Sequence, residues 1–97
     1  MNNELNRILH QPIRTRIMAY LIAHGSCNYK QLKTQFELSD GHMTTHMREL
    51  LEHNYVEMEK TFINNKPCTT YHVTDIGRQE FAEYVQRLKR IIETGAL

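Results

Sequence analysis

Residues 39–60 constrain the fold of this chain more than any other stretch. Within SDGHMTTHMRELLEHNYVEMEK, apolar residues recur at the spacing of one helix face, namely Met43, Met47, Leu50 and Leu51. Ser39 is a favoured N-cap, and Asn54 tolerates the left-handed conformation that ends a helix. Alternating apolar residues begin directly after Asn54. The sequence therefore predicts a helix that passes into a strand without a linker.

The rest of the chain predicts further helices upstream and a hairpin downstream. A short first helix is expected around residues 5–9, and Pro12 suits the first turn of a second helix, which Gly25 ends. Asn28, with Gln31 three residues later, has the form of a capping box for a brief third helix. Alternation predicts a strand over 55–63, NNKP a turn, and TTYHV the partner strand.

Helix, strand, turn, strand and helix is the element order of a winged helix-turn-helix. The predicted fold class is α+β and mostly helical, with a two- to three-stranded antiparallel wing sheet and a C-terminal dimerisation helix. The 97 residues suit a single domain over 1–97. Its recognition helix is expected at about 39–53, its wing at about 55–73 and its C-terminal helix at about 74–93.

Three segments resemble motifs of small winged-helix transcriptional regulators of the MarR/ArsR type. HQPIRTRIMAYL is similar to the family's HxxxRxxIMxxL helix, and LSDGHMTTHMRELLEHNYVEMEK to its recognition helix and first wing strand. YHVTDIGRQEF is similar to YxLTxxGRxxF at the end of the wing. The resemblance covers nearly the whole chain. It implies promoter binding as a homodimer, usually as a repressor, and a two-fold dimer would read a pseudo-palindromic operator in double-stranded DNA.

The polar face of the recognition helix and the wing supply the candidate DNA-binding residues. Threonine and histidine reach base edges or phosphates, and arginine can bind guanine through two hydrogen bonds. The candidates are Gly41, His42, Thr44, Thr45, His46 and Arg48 on the helix, and Lys60, Asn65 and Lys66 on the wing. The plainer interpretations are a solvated helix face and an ordinary hairpin turn. With two histidines near phosphate, DNA affinity is expected to rise as pH falls from about 8 to 6.

Charge supports DNA binding only weakly. The net charge is +1, and residues 30–75 hold five Lys and Arg against seven Asp and Glu. In the resembling family the wing tip is often rich in arginine, whereas this wing offers Lys60 and Lys66. A winged-helix protein-interaction module without DNA binding therefore remains the alternative function. Salt-dependent binding to duplex DNA would separate the two functions.

The predicted C-terminal helix is more apolar than one small core requires, which favours a homodimer. The candidate interface comprises Phe81, Tyr84, Val85, Leu88, Ile91 and Ile92, with Leu5, Ile8 and Leu9 joining from the other end of the chain. The alternative is that these residues pack only on the chain's own core.

Other functions find little support in the residues. His42 and His46 are four apart, as two metal ligands on one helix face would be, but no cysteine or acidic partner completes a site. The segment YKQLKTQF lacks the cysteine pair of the family's metal sensors, so a metal-responsive sensor is a third interpretation and no metal or cofactor is expected. There is no catalytic motif and hence no expected enzyme activity. With no signal peptide and no apolar run near the roughly 18 residues of a membrane span, a cytoplasmic location without membrane contact is expected.

Overall fold

A computed structural model describes residues 5–95, and within them the chain forms four helices and a three-stranded antiparallel sheet. The elements in chain order are α1 (Pro12–His24), β1 (Ser26–Asn28), α2 (Tyr29–Gln35), α3 (Asp40–Glu52), β2 (Val56–Ile63), β3 (Lys66–Val73) and α4 (Asp75–Thr94). The strand order is β1-β3-β2, so β3 is central and the short β1 closes one edge. This is the winged helix-turn-helix fold, and the fold prediction is confirmed.

Side-chain caps set the helix boundaries. The side-chain oxygen of Ser39 accepts a hydrogen bond from the backbone N–H of His42 at 3.1 Å, which begins α3. Asn28 and Gln31 form the reciprocal capping box predicted for α2. Gly25 ends α1 with a φ of 84°, a value that residues with a side chain rarely adopt. Local sequence chemistry therefore fixes both helices of the helix-turn-helix.

The predicted helix around residues 5–9 is wrong, because this segment is a turn. The side-chain oxygen of Asn6 accepts hydrogen bonds from the backbone N–H groups of Ile8 and Leu9, at 2.9 and 3.1 Å. An asparagine that satisfies nearby N–H groups in this way competes with helix formation. The side-chain amide nitrogen of Asn6 also donates a hydrogen bond to the Tyr55 hydroxyl at 2.9 Å. This bond links the N-terminal segment to the connection between α3 and β2.

The hairpin turns through two residues, and β3 begins earlier than predicted. Asn64 and Asn65 have φ values of 52° and 62°, so both are left-handed, as the tightest hairpin turns require. Ile63 pairs with Lys66 and Phe62 with Pro67, which places Pro67 inside the strand instead of in the turn. Proline is tolerated there because β1 pairs with β3 only over 70–72, leaving this end of β3 without a second neighbour.

The core lies where α1, α2 and α3 meet the sheet. Its fully buried side chains are Leu9, Ile17, Met18, Leu21, Leu32, Met43, Leu50 and Val56. Val56, Met58 and Phe62 alternate along β2 and so share one face, but only Val56 is buried, since Met58 is 45% exposed and Phe62 76% exposed. The hairpin of residues 56–73, called the wing below, therefore extends beyond the helices that cover its base.

Helix α4 also extends from the core. Of its 20 residues only Gly77 and Tyr84 are buried. The radius of gyration is 14.7 Å, compared with about 12.5 Å for a compact chain of this length. Among the described residues, no helix is both long enough and apolar enough to cross a membrane.

Candidate nucleic-acid interface

Helix α3 presents one face to the core and an opposite face to solvent. Met43, Met47 and Leu50 are buried. Gly41, His42, Thr44, Thr45 and Arg48 are all exposed, as predicted for residues that would meet DNA. The exposed residues lie mainly on the first three turns of the helix, where a recognition helix approaches the bases.

The threonines on this face have a defined hydrogen-bonding character. The Thr44 hydroxyl donates to the Asp40 carbonyl at 2.9 Å, and the Thr45 hydroxyl to the Gly41 carbonyl at 3.0 Å. Their protons are thus engaged with the helix backbone, while lone pairs and methyl groups remain available. Toward a base edge, each threonine can accept a hydrogen bond or contact a thymine methyl group.

Arg48 is the cation of this face. It lies one turn after Thr45, and within residues 5–95 no ion pair engages its guanidinium. A free guanidinium on an exposed helix face retains both donors needed for a paired contact with guanine O6 and N7.

His46 does not belong to the exposed face, and its prediction as a DNA-binding residue is wrong. Its side chain is only 8% exposed, and its Nδ1 lies 3.1 Å from Nη1 of Arg14 on α1. Arg14 in turn donates from Nε to the Ile8 carbonyl at 2.6 Å. Position 46 falls between Met43 and Leu50 at spacings of three and four residues, so helical periodicity already indicated its burial.

A polar cluster holds α2 against the start of α3. One carboxylate oxygen of Asp40 accepts a hydrogen bond from the Tyr29 hydroxyl at 2.7 Å and lies 2.8 Å from Nζ of Lys33. The hydrogen bond from Lys33, followed by that from Tyr29, lowers the pKa of Asp40. The same contact with Asp40 raises the pKa of Tyr29 to about 12. No local sequence pattern indicates this cluster, because its contacts join two separate helices.

The wing carries its predicted contacts at exposed positions. Lys60, Asn65 and Lys66 all lie at the surface, with Asn65 in the turn and Lys66 directly after it. Strand pairing divides the wing into two faces. The inner face continues the buried side and includes Met58, Lys60 and Phe62, whereas the outer face includes Glu57 and Glu59. Glu57 Oε2 lies 3.0 Å from His72 Nε2 across the strands.

The candidate dimer residues divide into buried and accessible groups. Tyr84 is 3% exposed, with its hydroxyl 3.0 Å from His10 Nδ1, and Leu9 is fully buried. For these two residues the prediction is wrong, because their own chain already covers them. Val85 and Ile92 are 40% and 74% exposed, and the remaining candidates are half-buried, namely Leu5, Ile8, Phe81, Leu88 and Ile91.

The N-terminal segment and α4 lie side by side within the chain. Leu5 and Arg7 line a half-open cleft of about 290 Å³ together with Glu80, Glu83 and Arg87 of α4. The sequence interval between these groups is more than 70 residues, so the fold brings both ends of the chain to one surface.

Residues 5–95 contain no group of three or more His, Cys, Asp or Glu side chains placed to hold a metal ion. Cys27 and Cys68 are both free thiols, and burial raises the pKa of Cys27. His46, one of the two histidines weighed as ligands, is engaged with Arg14 instead.

Comparison with known families places this geometry in context. Residues 13–92 match the family described as the winged helix DNA-binding domain. An uncharacterized protein of Methanocaldococcus jannaschii is 28% identical over 85 residues, which cover 88% of this chain and 92% of that protein.

Solved structures show the same architecture. The structure of a transcriptional regulator homologue from Pyrococcus horikoshii has a TM-score of 0.85 at 28% identity, covering 95% of this chain and 91% of that one. A mutant of MarR from E. coli, solved in complex with operator DNA, has a TM-score of 0.66 at 13% identity. It covers 92% of this chain and 69% of that one, and at such low identity it supports the fold alone.

Proposed function

The chain belongs to the winged helix DNA-binding domain family, and on that premise we propose that it is a sequence-specific transcriptional regulator of double-stranded DNA. It acts as a homodimer on a pseudo-palindromic operator, and it represses the promoter that it binds. Helix α3 reads bases in the major groove, and the wing contacts the neighbouring backbone.

The exposed face of α3 is the observation that carries this proposal. Thr45 and Arg48 lie on the side opposite the buried Met43, and Arg48 is free of ion pairs within the described residues. The Tyr29–Asp40–Lys33 cluster supports it in a second way, since it holds the first turn of α3 in place and neutralises its acidic residue. A rigid, preorganised helix start lowers the entropic cost of ordering on binding.

The comparisons support the same function. One solved relative is described as a transcriptional regulator homologue, and another protein of this fold was solved on its operator. A dimer is supported by the accessible apolar residues of α4. Two recognition helices related by a two-fold axis would enter successive major grooves about 34–36 Å apart, which requires an operator with two half-sites.

Replacing Arg48 with alanine tests the central claim. DNA fragments retained by the wild-type protein from a random pool define the operator, and affinities of wild type and Arg48→Ala are then measured on it and on unrelated duplex DNA. We expect a loss of roughly 1–3 kcal/mol on the operator, with a changed preference at one base position per half-site. On unrelated DNA the loss is expected to be much smaller.

Arg90→Ala is the matched control, because it removes the same charge from an exposed position on α4. It should leave the operator preference unchanged. Equal losses on both DNAs for Arg48→Ala would reduce Arg48 to a phosphate contact. If the wild type retains no duplex DNA with a steep salt dependence, the protein-interaction module becomes the better account.

A further inference from the structure

The end of the wing carries an apolar pair that the core does not use. Phe62 is 76% exposed, and its cross-strand partner Pro67 is also exposed. Phe62 belongs to the inner face, but it lies beyond the helices that bury Val56 and Tyr71 on that same face. An aromatic side chain this exposed adds little to the core of a single chain and is accessible to a binding partner.

The two faces of the wing differ in charge. On the inner face, neither strand of residues 56–73 carries a carboxylate, and Lys60 lies two residues before Phe62. Both wing carboxylates, Glu57 and Glu59, are on the outer face. The apolar pair is therefore flanked by a cation on its own face and by two left-handed asparagines at the turn. This face therefore offers a polyanion an apolar pair with a neighbouring cation and no opposing carboxylate.

From this arrangement, and resting on the proposed function, we propose that Phe62 and Pro67 form a wedge that enters the minor groove beside the major groove read by α3. Apolar side chains inserted at base steps partly unstack them and kink the duplex, and phenylalanine and proline are among the residues used. Lys60 then meets a phosphate at the edge of the groove.

The wedge accounts for how a wing with so little charge can bind. Lys60 and Lys66 are its only lysines, and residues 56–73 contain no arginine. Each neutralised phosphate makes affinity depend on salt, whereas contact between a ring and a base step does not. The wing would thus contribute a component of affinity that does not weaken with salt, and a preference for base steps that unstack easily, such as TA and CA.

The test compares two neighbouring apolar residues on opposite faces. Phe62→Ala removes the wedge, while Ile63→Ala, at a position 57% exposed on the outer face, is the matched control. The probe is the duplex that the wild type retains from a random pool, with 2-aminopurine replacing adenine at steps that flank each half-site. Unstacking of this base raises its fluorescence.

We expect the wild type to raise fluorescence at one step per half-site. Phe62→Ala should lose that rise and lower affinity roughly 5- to 150-fold. Its slope of log affinity against log salt should match that of the wild type, because no cation is removed. Lys66→Ala should instead reduce the slope by about one unit per chain. Ile63→Ala should retain the fluorescence, the affinity and the slope.

Each contrary result overturns the wedge. Unchanged affinity and fluorescence in Phe62→Ala would do so, as would an equal loss in Ile63→Ala. A changed molar mass of Phe62→Ala by light scattering would assign the surface to contact between copies of the chain. If operator preference still depends on Arg48, the proposed function survives failure of the wedge. A wild type that retains no duplex overturns both proposals.

Discussion

At the scale of single residues, the environment of His46 differs most from the one predicted for it. Arginine has no acceptor, so the contact with Arg14 requires Nδ1 of His46 to accept and the ring to be neutral with its proton on Nε2. Burial, then the charges of Arg14 and His42, lowers the pKa of His46 below its ordinary value of 6.5. Protonation would place a second cation beside the guanidinium and loosen α3 from α1.

The pH dependence of stability follows from this contact. Below about pH 6.5 the unfolded chain binds a proton at position 46, whereas the folded chain does not. The free energy of unfolding therefore decreases as the pH is lowered. The loss continues until pH reaches the lowered pKa of the folded state. We expect denaturant titrations between pH 8 and 5.5 to show a steeper loss for the wild type than for His46→Gln. Glutamine keeps an acceptor for Arg14 but does not titrate.

The two proteins differ only at position 46, so the difference between the two curves isolates that side chain. Parallel curves would show that the contact with Arg14 does not govern protonation. The fold removes His46 from the surface proposed to meet DNA. Its protonation would loosen α3 and so oppose the expected rise of DNA affinity at low pH.

Sequence alone could predict which residues of α3 are exposed, but not how the buried ones pair. Apolar periodicity identified Met43, Met47 and Leu50, because burial on a helix follows a fixed spacing. His46 was predicted to contact DNA because histidine is polar, although its spacing from Met43 and Leu50 places it on the buried face. Contacts such as Tyr29 with Asp40 join separate helices, and their distance depends on how the helices cross, which no local pattern encodes.

At the scale of elements, the junction between α3, β2 and α4 depends on one glycine. A Cβ atom on Gly77 would lie 2.1 Å from the backbone oxygen of Tyr55, far inside van der Waals contact. Thr74 fixes this approach, since its hydroxyl donates to the Asn54 carbonyl at 2.6 Å and its backbone N–H to the Tyr55 carbonyl at 3.1 Å. The glycine of the YHVTDIGRQEF motif is therefore a packing requirement.

Gly77→Ala tests this packing. Backbone cannot move aside as a flexible side chain does, so we expect overpacking to lower the free energy of unfolding by at least roughly 1–3 kcal/mol. Because the clash is with backbone, we expect this cost to lie at the upper end of that range and to outweigh the helical preference of alanine over glycine, about 1 kcal/mol. Gly41→Ala is the control, because a Cβ atom at position 41 would lie 3.9 Å from the nearest neighbouring atom, Ser39 Oγ. Denaturant unfolding should show Gly41→Ala to be as stable as the wild type or more so, and a stable Gly77→Ala would refute the argument.

Elements whose ends are set by local capping residues could be predicted from the sequence. Segments in which a side chain competes with helix formation could not. The caps of α2 and α3 formed as predicted because each uses side chains within three residues. Around residues 5–9 the apolar spacing of a helix was outweighed by Asn6, whose side chain takes the N–H groups for a turn. Phe62 fitted a strand's inner face, but how far helices cover that face is a tertiary property.

At the scale of the whole molecule, α4 is the element that one chain leaves uncovered. Phe81, Val85, Leu88 and Ile92 follow one another at intervals of four, three and four residues and so share one helix face. That face is half-buried at Phe81 and Leu88, 40% exposed at Val85 and 74% exposed at Ile92, so the chain's own core leaves the end of the helix uncovered. An apolar stripe that continues past the core is suited to form the self-complementary surface of a two-fold dimer.

Ile92→Asp tests this assembly better than a substitution nearer the core, because Ile92 is exposed in the single chain and its replacement should leave the fold intact. In a dimer it would bury two unpaired carboxylates on the two-fold face, which costs several kcal/mol. We expect light scattering at micromolar concentration to give twice the chain mass of 11.5 kDa for the wild type and the single mass for Ile92→Asp. The variant should also lose most of its operator affinity, since a monomer reads only one half-site.

The same helix offers the control. Ile76 is 54% exposed, but sixteen residues before Ile92 it faces roughly the opposite side of α4. Ile76→Asp should therefore remain dimeric and keep its operator affinity, even though it adds the same charge to an exposed isoleucine. A wild type that scatters as a monomer would refute the dimer. Dissociation by both variants would instead mean that added charge, not the apolar face, governs assembly.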